Sequence, residues 1–474
     1  MRHRALAGVL LFTGAWVGLS GWILVRDPWL GVAFGLAPLA VWTLLRFSWA
    51  RLIAVVGGGL AVLGSSSELS ITKFIYAGVI VFCAVISTAR IASDPPPIAR
   101  VFRPLIWTGS LFLFTVIVGA LISPEGFSVA TFGRQIIFYA LIVLGPIVGI
   151  DAGRELSPRV VYAVLWLVGI VAAVGFAVDW LDRRGVTSLP FGRFVLSSLI
   201  LPGMVFALAL VLVAHRRRIL SRAIWLLAVV VIPVAMLITG TRTNLIIFGT
   251  VPLVMGRLRN SRVPLPRMIV ILSAAALVGL AAFPLVESFL INDPHFIDRR
   301  LAALLTVVDG NAAQDQSYSW RSLQYASAWE LIQDHPLVGL GLGWTLSYTI
   351  DSPLLSVVRL GWLGVLTMTL YLVSLGSAVW RSRKLYGPSP AITAFWGLIG
   401  LTVLSLPFGT PLEDRGFGFA IMLITMAISA EVSQRPSTAQ FVTELRTGRR
   451  QKQRGREPAA GTAPYSGAQN RVRG

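Results

Sequence analysis

The chain has 474 residues, 55% hydrophobic and 13% charged, with a mean hydropathy of +0.75. Soluble domains carry about 25% charged residues, so this composition excludes a water-soluble globular protein and points to a polytopic, all-α membrane protein. A net charge of +20 would suggest nucleic acid in a soluble chain. In a membrane chain the charge must first be divided between the two faces.

Met1-Arg2-His3-Arg4 opens the sequence and leads into an apolar run that reaches Val25. The run lacks an Ala-x-Ala cleavage pattern and continues into further apolar segments, so it reads as an uncleaved first helix over about 5–25. Runs of spanning character follow at about 29–45, 52–64, 74–91, 104–122, 135–150, 160–180, 194–214, 223–239, 244–256, 268–291, 354–379, 391–408 and 416–431, which makes about fourteen. Cys83, the one cysteine, lies in an apolar run and reads as packing, with no intrachain disulfide. No charged residue falls at the middle of a span, which argues against a proton- or ion-coupled transporter.

With the N-terminus inside, 29 of the 41 Lys and Arg fall on the inner side with 6 of the 21 acids, a net +23 against −3 outside. Cytoplasmic loops carry the excess of Lys and Arg, so this orientation is expected: a multi-pass inner-membrane or plasma-membrane protein with both termini cytoplasmic. The basic charge then serves orientation and contact with anionic membrane lipid, and implies no nucleic-acid partner. The domain reading is a transmembrane domain over 1–432, holding an extracytoplasmic loop at 292–352. A polar, Arg-, Gly- and Pro-rich tail over 433–474 is expected to be disordered.

The outward loop is the longest polar interruption and carries the chemistry-bearing residues. Ser319 to Gln333 reads as an amphipathic helix, with Trp320, Leu323, Ser327 and Leu331 on one stripe and Arg321, Gln324 and Ala328 on the next. His335-Pro336 stops it, and Gly339, Gly341 and Gly343 make a turn, whether a plain tight turn or one that offers backbone amides to an anion. No strand precedes these glycines, so they are no dinucleotide fingerprint.

Arg242, in Thr239-Gly240-Thr241-Arg242-Thr243-Asn244, lies between two spans on the outer side, beside a helix N-terminus. That setting suits a phosphate or pyrophosphate; the ordinary alternative is an arginine that snorkels to the headgroups. Arg321, flanked by Tyr318, Trp320 and Tyr325, either clamps the same anion or pairs with Asp315 or Glu330. Asp351, just before Pro353, is a helix cap or a general base. Arg359, eight residues on, either binds substrate or holds Asp351 ionised. Asp414, in the last outer loop Glu413-Asp414-Arg415, faces the same cavity. Arg134, near an outer helix end, has anchoring as its ordinary role. His295 and His335 are the only outward histidines, about 40 residues apart, and no metal site is expected.

Three stretches in order resemble the O-antigen ligase and O-antigen polymerase family of bacterial envelope enzymes: TGTRTN around Arg242; WRSLQYASAWELIQDHPLVGLGLGW; and Asp351-Ser352-Pro353-Leu354-Leu355 followed by Leu360-Gly361-Trp362-Leu363-Gly364. The resemblance covers about Ser221 to Leu375. It implies a metal- and cofactor-independent, inverting glycosyltransferase that takes glycan from a polyprenyl-pyrophosphate donor at the outer leaflet and passes it to a saccharide or glycolipid acceptor. By it, Arg242 and Arg321 bind the donor pyrophosphate and Asp351 stands where the base stands. Arg359, Asp414, Arg134, Trp320 and His335 are the candidates for substrate binding, and a chain-length regulator or flippase is the kind of partner implied. The family's ligases carry His at the base position and Asn after it. Asp351 and Ser352 depart from this and favour polymerisation over ligation. A lipid-linked oligosaccharide flippase is the rival reading. It shares the spans and an outward cationic cavity, but does not need a structured outer loop.

Overall fold

Small hydroxyl residues and proline mark where helices begin in this chain. A computed structural model describes residues 28–63, 71–123, 127–182, 198–215, 219–238, 316–344, 353–406 and 409–434, with scattered helical positions between 266 and 281. Among the described residues every regular element is helical. In chain order these are α1 (Pro28–Arg46), α2 (Ser48–Val62), α3 (Ile71–Ser93), α4 (Ala99–Leu121), α5 (Val129–Glu155), α6 (Pro158–Asp182), α7 (Ile200–His215), α8 (Ile219–Ile238), α9 (Gln316–Asp334), α10 (Leu354–Tyr386), α11 (Pro390–Ser405), a 3-10 turn at Pro411–Glu413, and α12 (Phe417–Ser433).

Ser157 precedes Pro158 at the start of α6, and Ser389 precedes Pro390 at the start of α11. Each serine Oγ accepts from the N–H three residues on, from Val160 (3.4 Å) and Ile392 (3.1 Å). Proline is at home there because first-turn N–H groups have no partner inside the helix. These elements belong to one compact unit, Met1–Ser433; Gln434–Gly474 form a second.

Helices α3 to α6 and α10 are long and apolar enough to cross a membrane. Gly35–Arg46 and Ser48–Val62 pass the same test only as a pair, bent by 117°. α7, α8, α11 and α12 are shorter apolar helices. The expected spans at 5–25 and 244–256 lie outside the described residues, as does most of 268–291, where 269–274, 277 and 281 are described as helical. The two expected at 29–45 and 52–64 become the bent pair, separated by Phe47 alone.

Side chains on α4 such as Trp107 (72% exposed) and Phe114 (63%) have no protein over them, as suits a face turned to hydrocarbon. By contrast, α7 and α12 are mostly apolar and buried on every side, with Thr425, Ser429 and Glu431 of α12 buried as well. α12 packs against α5, α6, α7 and α11.

The α5–α12 seam is made by Gly145, Gly149 and Gly153, one turn apart on α5. A Cβ on Gly149 would stand 2.3 Å from the Met422 carbonyl oxygen, and one on Gly153 would stand 2.3 Å from that of Met426. Ser429 Oγ crosses the seam to donate to the Ile150 carbonyl (2.9 Å). Small residues at a four-residue repeat let two backbones meet where lipid offers no hydrophobic drive between helices. Gly149→Val is therefore expected to cost about 1–3 kcal/mol by overpacking, read as a lower thermal transition in detergent. An unchanged transition would remove the seam from the account of the fold.

Charged side chains lie near helix ends, as expected, yet one pair is completely enclosed. Arg51 of α2 meets Asp151 of α5, with Nε at 3.1 Å from Oδ2 and Nη2 closer still; neither side chain is exposed. Ser87 donates to the same oxygen (3.0 Å) and Arg51 Nη1 donates to the Leu44 carbonyl (2.5 Å). The pair is held through Oδ2, while Asp151 Oδ1 is buried without a hydrogen bond among the described residues and has only Arg154 Nε near it (3.7 Å); removing one partner would strand a buried charge. Beside it, Arg90 pairs with Glu155 (2.6 Å), and Arg154 with Asp94 (3.4 Å).

Candidate functional site

The turn after α9 is built by three glycines that leave ordinary backbone space. Gly339, Gly341 and Gly343 have φ of +68°, +76° and +106°, where a Cβ is penalised. Space also forbids a side chain: a Cβ on Gly341 would stand 2.7 Å from the Gly119 carbonyl oxygen at the C-terminal end of α4. Ser123 donates to the Leu340 carbonyl. Gln135, buried on α5, holds the turn from both sides. Its Oε1 accepts from the Gly343 N–H (2.9 Å), and its Nε2 donates to the Trp344 carbonyl (3.1 Å).

This turn is stapled to a break in α10. Gly361 has φ +61° and ψ 179°, which interrupts the helix and leaves backbone groups on both sides of the break without an intrahelical partner. The turn supplies them. Trp362 N–H donates to Pro336 (2.9 Å), Leu363 N–H donates to Leu337 (3.0 Å), and Leu340 N–H donates to Val358 (2.8 Å). α9 itself packs on α10 through Ala328, Ile332, Leu340, Leu355 and Val358, which form a small core of their own.

A polar cluster is centred on Arg359, two residues before the break. Arg359 forms an ion pair with Glu413 of the 3-10 turn, and Tyr139 of α5 donates to Glu413 Oε1 (2.9 Å). Gln135 and Tyr139 are four residues apart, so one face of α5 holds the glycine turn with the first and the ion pair with the second. Ser356, buried on α10, is one turn before Arg359.

Asp414 turns the other way. Its carboxylate accepts from Ser198 Oγ, from the Leu199 N–H (3.1 Å) and from the Gly416 N–H (2.8 Å), closing the start of α7. Burial raises its carboxyl above the ordinary range, opposed by these hydrogen bonds. A raised folded-state pKa means that this group stabilises the fold below its unfolded pKa, and that the contribution is lost as pH rises through the raised value. Asp414→Asn should flatten that pH dependence of the thermal transition. Asp414→Ala should cost about 1–2 kcal/mol by orphaning the cap.

The sequence candidates fall as follows. Arg359 is in the cluster, and Arg134 is next to Gln135 on α5, half-buried. His335 closes α9, its N–H donating to Leu331 (3.2 Å) and its carbonyl accepting from Gly339 (3.1 Å). Trp320 and Arg321 lie in the first turns of α9, and of these two only the backbone is described. Arg242 and Asp351 lie outside the described residues.

Within α9, Gln324, Ala328 and Ile332 face inward, while Leu323 is 61% exposed. The buried stripe is therefore the one that begins with Gln324 and not the one through Leu323. Glu413 was named from sequence only as part of the last outer loop with Asp414, and Gly361 only within the Leu360–Gly364 stretch; Tyr139 and Gln135 were not singled out. The four-residue spacing of Gln135 and Tyr139 near the start of an apolar span was the available signal.

A groove of about 900 Å³ opens between α10 and α11, which are joined by three residues but pack on different partners, α10 on α4 and α9, α11 on α7 and α12. It runs from Ser356 and Leu412 to Trp380 and Lys384. The rings of Trp380 and Trp396, 6.3 Å apart, meet across it edge to face.

Compared with known proteins, residues 227–354, about a quarter of the chain, match the family model of O-antigen ligase. This supports assignment to the O-antigen ligase/polymerase family. The matched residues include Arg242, Trp320, Arg321, His335, the glycine turn and Asp351, and they end before Arg359. No curated protein matches the chain.

Proposed function

With residues 227–354 as an O-antigen ligase segment, we propose that the protein is a membrane-embedded glycosyltransferase of cell-surface polysaccharide synthesis. It moves glycan units from a polyprenyl-pyrophosphate donor to a saccharide acceptor at the outer face, and it polymerises rather than ligates. The carrying observation is the staple: α9, which holds Arg321, ends in a turn bonded to the Gly361 break in α10, ten residues after Asp351. Two segments that must act on one substrate are thereby held by backbone hydrogen bonds.

In this reading Asp351 takes the proton from the acceptor hydroxyl as its oxygen bonds to the anomeric carbon. The bond from that carbon to the pyrophosphate oxygen breaks on the opposite side, so configuration inverts. Arg242 and Arg321 offset the charge that grows on the leaving pyrophosphate. An aspartate has an ordinary pKa of about 3.9, so it acts through position more than basicity. Arg359, fixed by Glu413 and Tyr139, orients the first turns of α10 behind it. The groove between α10 and α11 suits the donor's apolar tail.

Purified protein in liposomes, given polyprenyl-pyrophosphate-linked oligosaccharide and no nucleotide sugar, tests this on a sizing gel. A ladder of longer lipid-linked products is expected. An unchanged lipid-linked pool, with donor crossing the bilayer, would overturn the reading in favour of a flippase.

A further inference from the structure

Arg51, Arg90 and Arg154 each meet a carboxylate, but two neighbours do not. Arg100 and Arg103, one turn apart at the start of α4, are exposed and have no carboxylate within ion-pair distance among the described residues. They stand on the rim of a crevice of about 520 Å³ between α3, α4 and α5. Its walls are apolar (Ile91, Phe102, Leu113 and Ile147), and the small Ala92 and Ser110 leave it unfilled. At the same rim Tyr386, the last residue of α10, donates to the Pro97 carbonyl (3.1 Å) and faces Arg100.

The crevice and the glycine turn occupy opposite ends of α4. Arg100 and Arg103 open that helix, whereas Gly119, Ala120 and Ser123 at its other end touch the turn. Some 20 residues at 1.5 Å each separate them by about 30 Å, the thickness of a hydrocarbon core. The crevice therefore lies in the leaflet away from the candidate site, and a donor headgroup bound at that site does not reach it.

We propose that this crevice binds one anionic glycerophospholipid, its phosphate between Arg100 and Arg103 and one acyl chain along the apolar wall. Guanidinium groups pair well with phosphate oxygens, and basic pockets between membrane helices take anionic headgroups. The assignment is independent of the glycosyltransferase reading.

Native mass spectrometry of the purified full chain in detergent tests it, with phosphatidylglycerol and phosphatidylcholine of identical acyl chains as probes. Two arginines near a membrane surface correspond to about a thirtyfold preference for the anionic lipid. Arg100→Gln with Arg103→Gln should abolish that preference and leave phosphatidylcholine retention unchanged. Ala92→Trp, which fills the crevice, should reduce retention of both lipids. Arg217→Gln with Arg218→Gln, an equal loss of charge elsewhere, should change neither. Wild-type retention in the first variant would overturn the proposal. So would an equal loss in the Arg217/Arg218 control, or displacement of phosphatidylglycerol by glycerol phosphate, which would mark a site for a soluble anion.

Discussion

Arg321→Ala, Arg242→Ala and Asp351→Asn are each expected to lower glycan transfer by about two to three orders of magnitude while the protein inserts at wild-type abundance. Removing one group that stabilises transition-state charge costs about 10²–10³ in rate, and removing a general base about 10²–10⁴. Asparagine at 351 separates the two roles considered for that residue. Asn caps a helix as well as Asp does but does not take a proton. A cap would leave transfer near wild type; a base would not. The measurement is polymer length and quantity on a sizing gel, with membrane abundance followed in parallel. Normal polymer in all three variants would sink the assignment of the donor and base sites together.

Gly361→Ala should be the most damaging single methyl in the described residues around the site. At φ +61° and ψ 179° the backbone is in a region that only glycine occupies readily, which costs other residues about 1–3 kcal/mol. The added Cβ would also stand 2.2 Å from the Leu337 carbonyl oxygen, an atom of the glycine turn itself. The turn must then move, and the hydrogen bonds to Trp362 and Leu363 go with it. A lowered thermal transition together with lost transfer is expected. Gly376→Ala in the same helix makes the contrast, because its Cβ would meet only Trp396 at 3.9 Å. Alanine there should be neutral or stabilising by up to about 1 kcal/mol. If the two variants melt alike, the break does not carry the strain assigned to it.

How far the sequence could be read depended on the range of the interaction. Helix α9 is local: its expected run, Ser319 to Gln333, lies inside the observed Gln316–Asp334. Its two stripes were legible, but the pattern left open which of them faces inward. Packing on α10 decides it: Ala328 and Ile332 join Leu355 and Val358 in a small core, which carries Gln324 inward and leaves Leu323 exposed. The break at Gly361 was invisible for another reason. The apolar run of α10 continues straight through it, and only the turn 20 residues earlier supplies the hydrogen bonds that make a break affordable. Glu413 and Asp414 are neighbours that face different partners, the first Arg359 and the second the start of α7. Composition places both in one outer loop, whereas the 3-10 turn that separates their directions depends on contacts far away in sequence.

The position of α12 also bears on how the protein is made. α12 is the last of the described helices, yet it fills the centre, against α5, α6, α7 and α11. During synthesis the chain emerges from its N-terminus, so α5 enters the bilayer with its glycine seam bare and waits for most of translation before a partner arrives. A ribosome that stalls before Phe417 would leave a bundle whose middle is open and whose Asp414 clasp on α7 has just been delivered without the helix behind it. Until it is covered, the seam is unfilled packing inside the bilayer, so the stability of the early helices rests on the last described helix to be made.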